Sequence, residues 1–225
     1  IIEHSVLCGS DKYPLKDPFV KLLNSSMNTF LNAMTFMDKT MYPVASRNEK
    51  DFENLVDVYC DAVFNPLIKH DYFAFRQEGW HFELNNEDEL EINGIVYNEM
   101  KGVYSDPEEV LSETVGSALF PDTVYSKDSG GDPDVIPELT YENYLRFYNT
   151  HYHPSNSFLF FYGDTDIEKH LKKLNDDYLS KYERIERPIA RLYQTPFDKP
   201  VFCSKEYDAE DDDSIETSFY FAKAY

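Results

Sequence analysis

The chain has 225 residues, 42% hydrophobic and 16% aromatic (18 Tyr and 17 Phe), which supplies a packed core and excludes a disordered chain. Its 42 Asp and Glu against 21 Lys and Arg give a formal net charge of −21. That balance opposes binding to nucleic acid or to an anionic membrane, whose phosphates would be repelled; it admits a cationic partner, although a solvated acidic surface is the simpler explanation.

Residues 1–8 read as the last turns of a helix ended at Gly9. A turn-rich connection, 11–17, leads to a short helix over 18–23 with Pro18 in its first position. Residues 30–36 and 40–46 are strand candidates around a turn at 37–39. Residues 48–64 form a helix, because Phe52, Leu55, Val56, Tyr59, Cys60 and Val63 recur at spacings of three and four before Pro66. Residues 80–84 alternate as a strand. A helix over 93–102 carries Glu99, and Ile95, Val96, Met100 and Val103 place apolar groups on several of its faces, so it should be well buried.

Helices follow over 107–120 and 140–152, the latter with Thr140 and Asn143 suited to its start, and residues 128–133 form a loop between them. Residues 157–162 read as an aromatic strand closed by Gly163, and 166–182 as an amphipathic helix. Residues 186–200 hold three prolines and read as a linker; 201–207 and 215–222 read as strands around an acidic loop at 208–213. No internal repeat is visible, and no apolar run reaches the roughly 18 residues of a membrane helix. Cys8, Cys60 and Cys203 are sparse, odd in number and without paired spacing, which fits free thiols in a reducing compartment. The pattern is α+β, with a mixed, largely antiparallel sheet packed against helices.

The chain opens Ile1-Ile2-Glu3-His4, which looks like the tail of an H-x-x-E-H motif whose first histidine lies just upstream. On one helix two histidines four apart face the same way and can grip one Zn²⁺, and the glutamate between them serves as general base. Glu99, 95 residues after His4, would be the third ligand. A Glu-His pair on a helix is more often a solvated surface feature, so the residues alone leave both readings open. His151 and His153 could share a face in a strand, but before Pro154 they fit capping and turn packing better, and His81 fits a satisfied core or supporting position. The Gly130-Gly131-Asp132 segment lacks the spacing of a phosphate loop, and no local motif supports a Ser or Cys nucleophile.

Blocks along the chain resemble the pitrilysin-type (M16) metalloproteases, within them the presequence protease and falcilysin branch. These are Glu3-His4-Ser5-Val6-Leu7-Cys8-Gly9-Ser10, Tyr13-Pro14-Leu15-Lys16-Asp17-Pro18-Phe19, Ser26-Met27-Asn28-Thr29-Phe30-Leu31-Asn32-Ala33, Tyr42-Pro43-Val44-Ala45-Ser46, Gln77-Glu78-Gly79-Trp80-His81, Val96-Tyr97-Asn98-Glu99-Met100-Lys101-Gly102-Val103-Tyr104-Ser105, Asp128-Ser129-Gly130-Gly131-Asp132-Pro133 and Tyr152-His153-Pro154-Ser155-Asn156. The resemblance implies a zinc endopeptidase that degrades short unstructured peptides, such as cleaved targeting presequences, inside a chamber closed by a C-terminal half. It implies His4 and Glu99 as metal ligands, Glu3 as general base, Leu7 beside a substrate pocket, and Asn32-Ala33 on an edge strand that pairs with substrate. It further implies a catalytic domain over 1–190, lacking its first strand and first histidine, and the start of a second, similar domain over 191–225. An organelle matrix such as the mitochondrion is the location it suggests. Many relatives carry a glutamate seven residues before the ligand glutamate; Ile92 stands there, with Glu91 beside it. The chain by itself is expected to be inactive. The rival reading is a non-catalytic homologue acting as a structural or peptide-binding subunit, though such relatives usually lose one of Glu3, His4 or Glu99.

Overall fold

The computed structural model describes residues 1–15, 18–187, 193–206 and 222. They fall into two compact units: described residues of Ile1–Thr35, Thr40–Gly79 and Glu138–Pro188 form the first, those of Phe36–Lys39, Trp80–Pro137 and Ile189–Tyr225 the second.

The first unit is organised on helix α3 (Glu49–Phe64). The Asn48 side chain caps it by accepting from the Asp51 N–H at 2.9 Å, and Glu49 and Asp51 in its first turn suit the helix dipole. Its inward face carries Leu55, Tyr59, Cys60 and Phe64, all buried. On one side Leu55 and Tyr59 meet Leu31, with Leu7, Phe19, Tyr42 and Val44 packed around them. On the other, Cys60 and Phe64 meet Leu174 and Tyr178.

Helix α1 (Ile2–Val6) and helix α2 (Pro18–Ser25) precede four short strands: β1 (Asn28–Leu31), β2 (Met34–Thr35), β3 (Thr40–Met41) and β4 (Val44–Ser46). β1 pairs antiparallel with β4, and β2 with β3. Each of the two expected strands is therefore broken in the middle, one at Asn32-Ala33 and the other at Tyr42-Pro43. Pro43 has no N–H to give to a ladder, so only its carbonyl bonds across, accepting from the Asn32 N–H at 3.2 Å. The Ala33 N–H turns instead to the Asn32 side-chain oxygen at 2.9 Å.

Helix α4 (Tyr72–Glu78), not anticipated from sequence, starts at Asp71, whose carboxylate accepts from the Phe73 and Ala74 N–H groups at 2.9 and 3.4 Å. Phe75 lies 5.2 Å, ring to ring, from Tyr144 of helix α7 (Tyr141–His151), which begins at a Thr140 cap as expected. Residues 157–162 form no ladder: among the described residues no strand runs beside them. Phe158, Leu159, Phe160 and Tyr162 are exposed, and only Phe161 turns inward to pack against the Cys60 cluster. The expected helix over 166–182 is shorter, helix α8 (Ile167–Asp177) followed by a 3₁₀ turn at Leu179–Lys181, because Tyr178 leaves helical geometry to bury its ring.

In the second unit a hairpin of two further strands, β5 (His81–Leu84) and β6 (Leu90–Asn93), pairs His81 with Asn93 and Leu84 with Leu90. Helix α5 (Ile95–Val103) and helix α6 (Pro107–Leu119) follow, the second capped by Asp106 with Pro107 in its first turn. α5 buries Val96 and Met100 but leaves Ile95, Val103 and Glu99 exposed, so it is buried on one face only, not all round. Residues 201–206 form no strand, and residues 207–221, with the acidic run and most of the last expected strand, lie outside the described residues. No described helix is long and apolar enough to cross a membrane. The pattern is α+β, as expected, with its sheets small and antiparallel.

A polar knot ties the loop after α1 to α3 and α8. Asp57 accepts from Tyr13 OH at 2.6 Å, Tyr178 OH at 2.7 Å and Lys12 Nζ at 3.1 Å. Asp61, buried beside it, accepts from the Lys12 N–H at 2.7 Å. Burial pushes the Asp57 carboxyl up, but the hydrogen bonds from Tyr13, Tyr178 and Lys12 outweigh it and bring it to about 2. The folded value lies below the unfolded one, so the stabilisation is complete above the unfolded carboxylate value near 4 and is lost as pH falls towards about 2. Asp57→Asn is expected to lower stability by on the order of 2 kcal/mol at neutral pH and to flatten the loss between about pH 4 and pH 2. Denaturant unfolding across that range checks it; parallel wild-type and variant curves would contradict it.

Gly130 touches α5 closely enough that a Cβ built there would lie 2.2 Å from Met100 Sδ. Gly130→Ala is therefore expected to push Met100 from its site and to destabilise the second unit by about 1–3 kcal/mol. Its thermal midpoint against wild type reads this out, an unchanged midpoint being the contrary result.

Candidate functional site

The first unit brings together the N-terminal residues singled out by sequence. α1 has only five residues, too few to be stable by itself, so its place is set by tertiary contacts. Ser5 and Val6 are fully buried; Ser5 Oγ donates to the Ile1 carbonyl at 2.6 Å and accepts from Tyr144 OH at 2.6 Å. This anchorage presents Glu3 and His4, both half-buried, on the adjoining surface of the turn.

His4 Nδ1 lies 3.3 Å from Oε2 of Glu78, the last residue of α4. Glu78 is 5% exposed. Its other oxygen accepts from Gln77 Nε2 at 2.8 Å and Cys8 Sγ at 3.4 Å. Burial pushes the Glu78 carboxyl up, yet the hydrogen bonds from His4, Gln77 and Cys8 prevail and hold it below its ordinary value. Glu3 accepts a hydrogen bond from Thr35 Oγ1 of β2, which ties α1 to the strand that follows Ala33. Behind it, Tyr42 and Tyr152 share a hydrogen bond of 2.9 Å; burial, the Tyr152 hydroxyl and the charge of Glu3 all push the Tyr42 hydroxyl up.

Leu7 caps the end of α1 and packs on the Leu31–Leu55–Tyr59 cluster. Asn32 and Ala33 sit at the break between β1 and β2, where Tyr59 OH donates to the Asn32 carbonyl at 3.4 Å. Glu99 belongs to the second unit, exposed on α5. The start of α5 is held by Asn93, whose side-chain oxygen accepts from the Gly94 N–H at 2.7 Å and whose amide donates to Glu83.

Among the described residues no group of three or more His, Cys, Asp or Glu side chains is arranged to hold a metal ion. In donor chemistry His4 and Glu99 suit zinc, which takes imidazole nitrogen and carboxylate oxygen, and the His4 ring already has a hydrogen-bonded partner on Nδ1. The other histidines singled out by sequence have structural contacts. His153 Nδ1 accepts from the Ser155 N–H at 3.1 Å, His151 packs 4.4 Å from the Phe147 ring, and His81 pairs with Glu83 Oε2 at 3.4 Å. Sequence reasoning missed Glu78. The signal available was the helix start at Asp71-Tyr72-Phe73.

The chain matches a family model described as insulinase (peptidase family M16) over residues 1–128 and one described as the peptidase M16 inactive domain over 138–222. It is 53% identical to the protein HypA of Clostridium perfringens over 98% of this chain and 23% of that protein. It is 50% identical to presequence protease 1, chloroplastic/mitochondrial, of Arabidopsis thaliana over 96% of this chain and 20% of that protein, and 49% identical to the mitochondrial presequence protease of Danio rerio over 89% and 20%. The chain thus spans about a fifth of the length of these relatives. The crystal structure of the first half of the periplasmic protease PqqL from Escherichia coli superposes with a TM-score of 0.60 at 18% identity, over 85% of this chain and 39% of that one, a likeness of fold. With one family model covering more than half of it and relatives near 50% identity along most of its length, the chain belongs to the insulinase (M16) peptidase family.

Proposed function

We propose that the protein carrying this chain is a zinc-dependent endopeptidase of the inverted H-x-x-E-H type that degrades short unstructured peptides, cleaved targeting presequences among them. The observation that carries the reading is the adjacent Glu3–His4 pair on an anchored turn, with the imidazole held through Nδ1 by a buried carboxylate. Relatives near 50% identity named presequence proteases support the substrate class, and their mitochondrial and chloroplastic names support an organelle matrix.

In this reading His4 and Glu99 hold the zinc together with a histidine outside this sequence. When bound, zinc supplies Lewis-acid polarisation of a scissile carbonyl and makes a water easier to deprotonate. Glu3 takes the proton of the attacking water and returns it to the leaving amine; its hydrogen bond from Thr35 orients the carboxylate. Asn32 and Ala33 pair with the extended substrate backbone, and Leu7 borders a side-chain pocket. Residues 1–190 make the catalytic domain and 191–225 begin a second, with a C-terminal half closing the chamber.

Glu3→Gln in the full-length protein is expected to keep zinc and fold while peptidase rate falls by about 10²–10⁴. Peptide cleavage with metal analysis of the same sample tests the proposal; a rate within a few-fold of wild type refutes the role of Glu3. Glu99→Gln is expected to weaken zinc binding with little change in metal-free stability, because Glu99 is exposed on α5 and fills no core. Chelator competition alongside thermal melting of the apoprotein separates the two effects; retained zinc with a lower apo midpoint would mark a structural carboxylate instead.

A further inference from the structure

We infer that Glu78 is the positioning residue of the His4 imidazole: its buried carboxylate holds Nδ1 so that the ring presents Nε2 to the metal. The inference rests on the reading of His4 as a zinc ligand and assigns to α4 a part in that site.

Glu78 is 5% exposed, and a carboxylate taken that far from water requires donors. Two of the three it receives come from the α1 turn, His4 Nδ1 at 3.3 Å and Cys8 Sγ at 3.4 Å, and the third from its neighbour Gln77. His4 and Cys8 are four residues apart, and both side chains reach the same carboxylate. The Gln77 amide and the Cys8 thiol are donors to Oε1, so Oε2 is left to accept from the ring of His4. A neutral imidazole with its proton on Nδ1 carries its lone pair on Nε2. An anionic acceptor on Nδ1 also makes that lone pair a better ligand.

The approach of α1 to α4 is built into the backbone. α4 ends at Gly79, where a Cβ would lie 2.6 Å from the Phe75 carbonyl oxygen and 3.2 Å from Ile1 Cδ1. A larger residue there would lever the first turn away from Glu78. On a helix of five residues, with its side chain 32% exposed, the His4 ring needs a restraint on its terminal torsion. The carboxylate supplies that restraint.

A purely structural Glu78 would fasten α1 to α4 without altering the metal. The distinction is made in the full-length protein with Glu78→Gln, Glu78→Leu and His4→Ala, measuring zinc affinity by chelator competition, the visible spectrum of the cobalt(II)-substituted protein, and the melting point of the apoprotein. Glu78→Gln keeps shape and an acceptor oxygen but loses the charge; Glu78→Leu loses both. Zinc affinity is expected to fall by about 10-fold in the first and towards about 100-fold in the second, with an altered cobalt spectrum and, for Gln, an apo melting point near wild type. If Glu78→Leu does not fold, the Gln variant decides alone. Wild-type zinc affinity and cobalt spectrum in Glu78→Gln, with zinc lost in His4→Ala, would overturn the inference and leave the metal reading intact. Wild-type zinc affinity in His4→Ala would overturn both.

Discussion

The candidate site depends on how a five-residue helix is held in place. α1 has too few hydrogen bonds to persist alone, so every property of Glu3 and His4 is inherited from what grips it. Val6 and Ser5 are fully buried, Tyr144 bonds Ser5 from α7, and Glu78 bonds His4 and Cys8 from α4. Three segments far apart in sequence thus meet at one turn. The arrangement is rigid where chemistry asks for precision, since polar groups with buried partners have few alternative geometries.

The same use of tyrosine and carboxylate recurs throughout the first unit. Tyr13 and Tyr178 bond Asp57, Tyr148 donates to the Val63 carbonyl at 2.7 Å, and Tyr141 donates to the Ile68 carbonyl at 2.5 Å. Each ring fills apolar space while its hydroxyl satisfies an otherwise stranded backbone or carboxylate oxygen. An aromatic-rich composition is in this sense a way of burying loop backbone without leaving its polar groups unpaired, and the loop after α1 is the one that the site needs fixed.

Much of this was legible in the sequence, and the failures share a cause. α3 was readable because its apolar residues recur at spacings of three and four, and α7 because Thr140 suits a helix start; the caps at Asn48 and Asp106 became visible only in the structure. α4 was not, because Tyr72, Phe73, Ala74 and Phe75 are apolar in succession and display no helical stripe. Residues 157–162 alternate like a strand, but alternation says nothing about whether a partner strand lies alongside. The helix carrying Glu99 has apolar residues on several faces, but a sequence does not say which of those faces a neighbour covers. For the site, Glu3, His4 and Glu99 stood out through motif and resemblance. Glu78 did not, because nothing in a single sequence marks a glutamate as buried or pairs it with a histidine 74 residues away.

The central claim is the proposal that His4 and Glu99 are ligands of one metal ion, with Glu78 behind the histidine. Anomalous diffraction at the zinc edge from crystals of the full-length protein measures this directly. The account predicts one zinc about 2.0–2.1 Å from His4 Nε2 and about 2.0–2.2 Å from a Glu99 oxygen, with Glu78 on His4 Nδ1. A zinc bound elsewhere, or bound at His4 with Glu99 turned away from it, would contradict it.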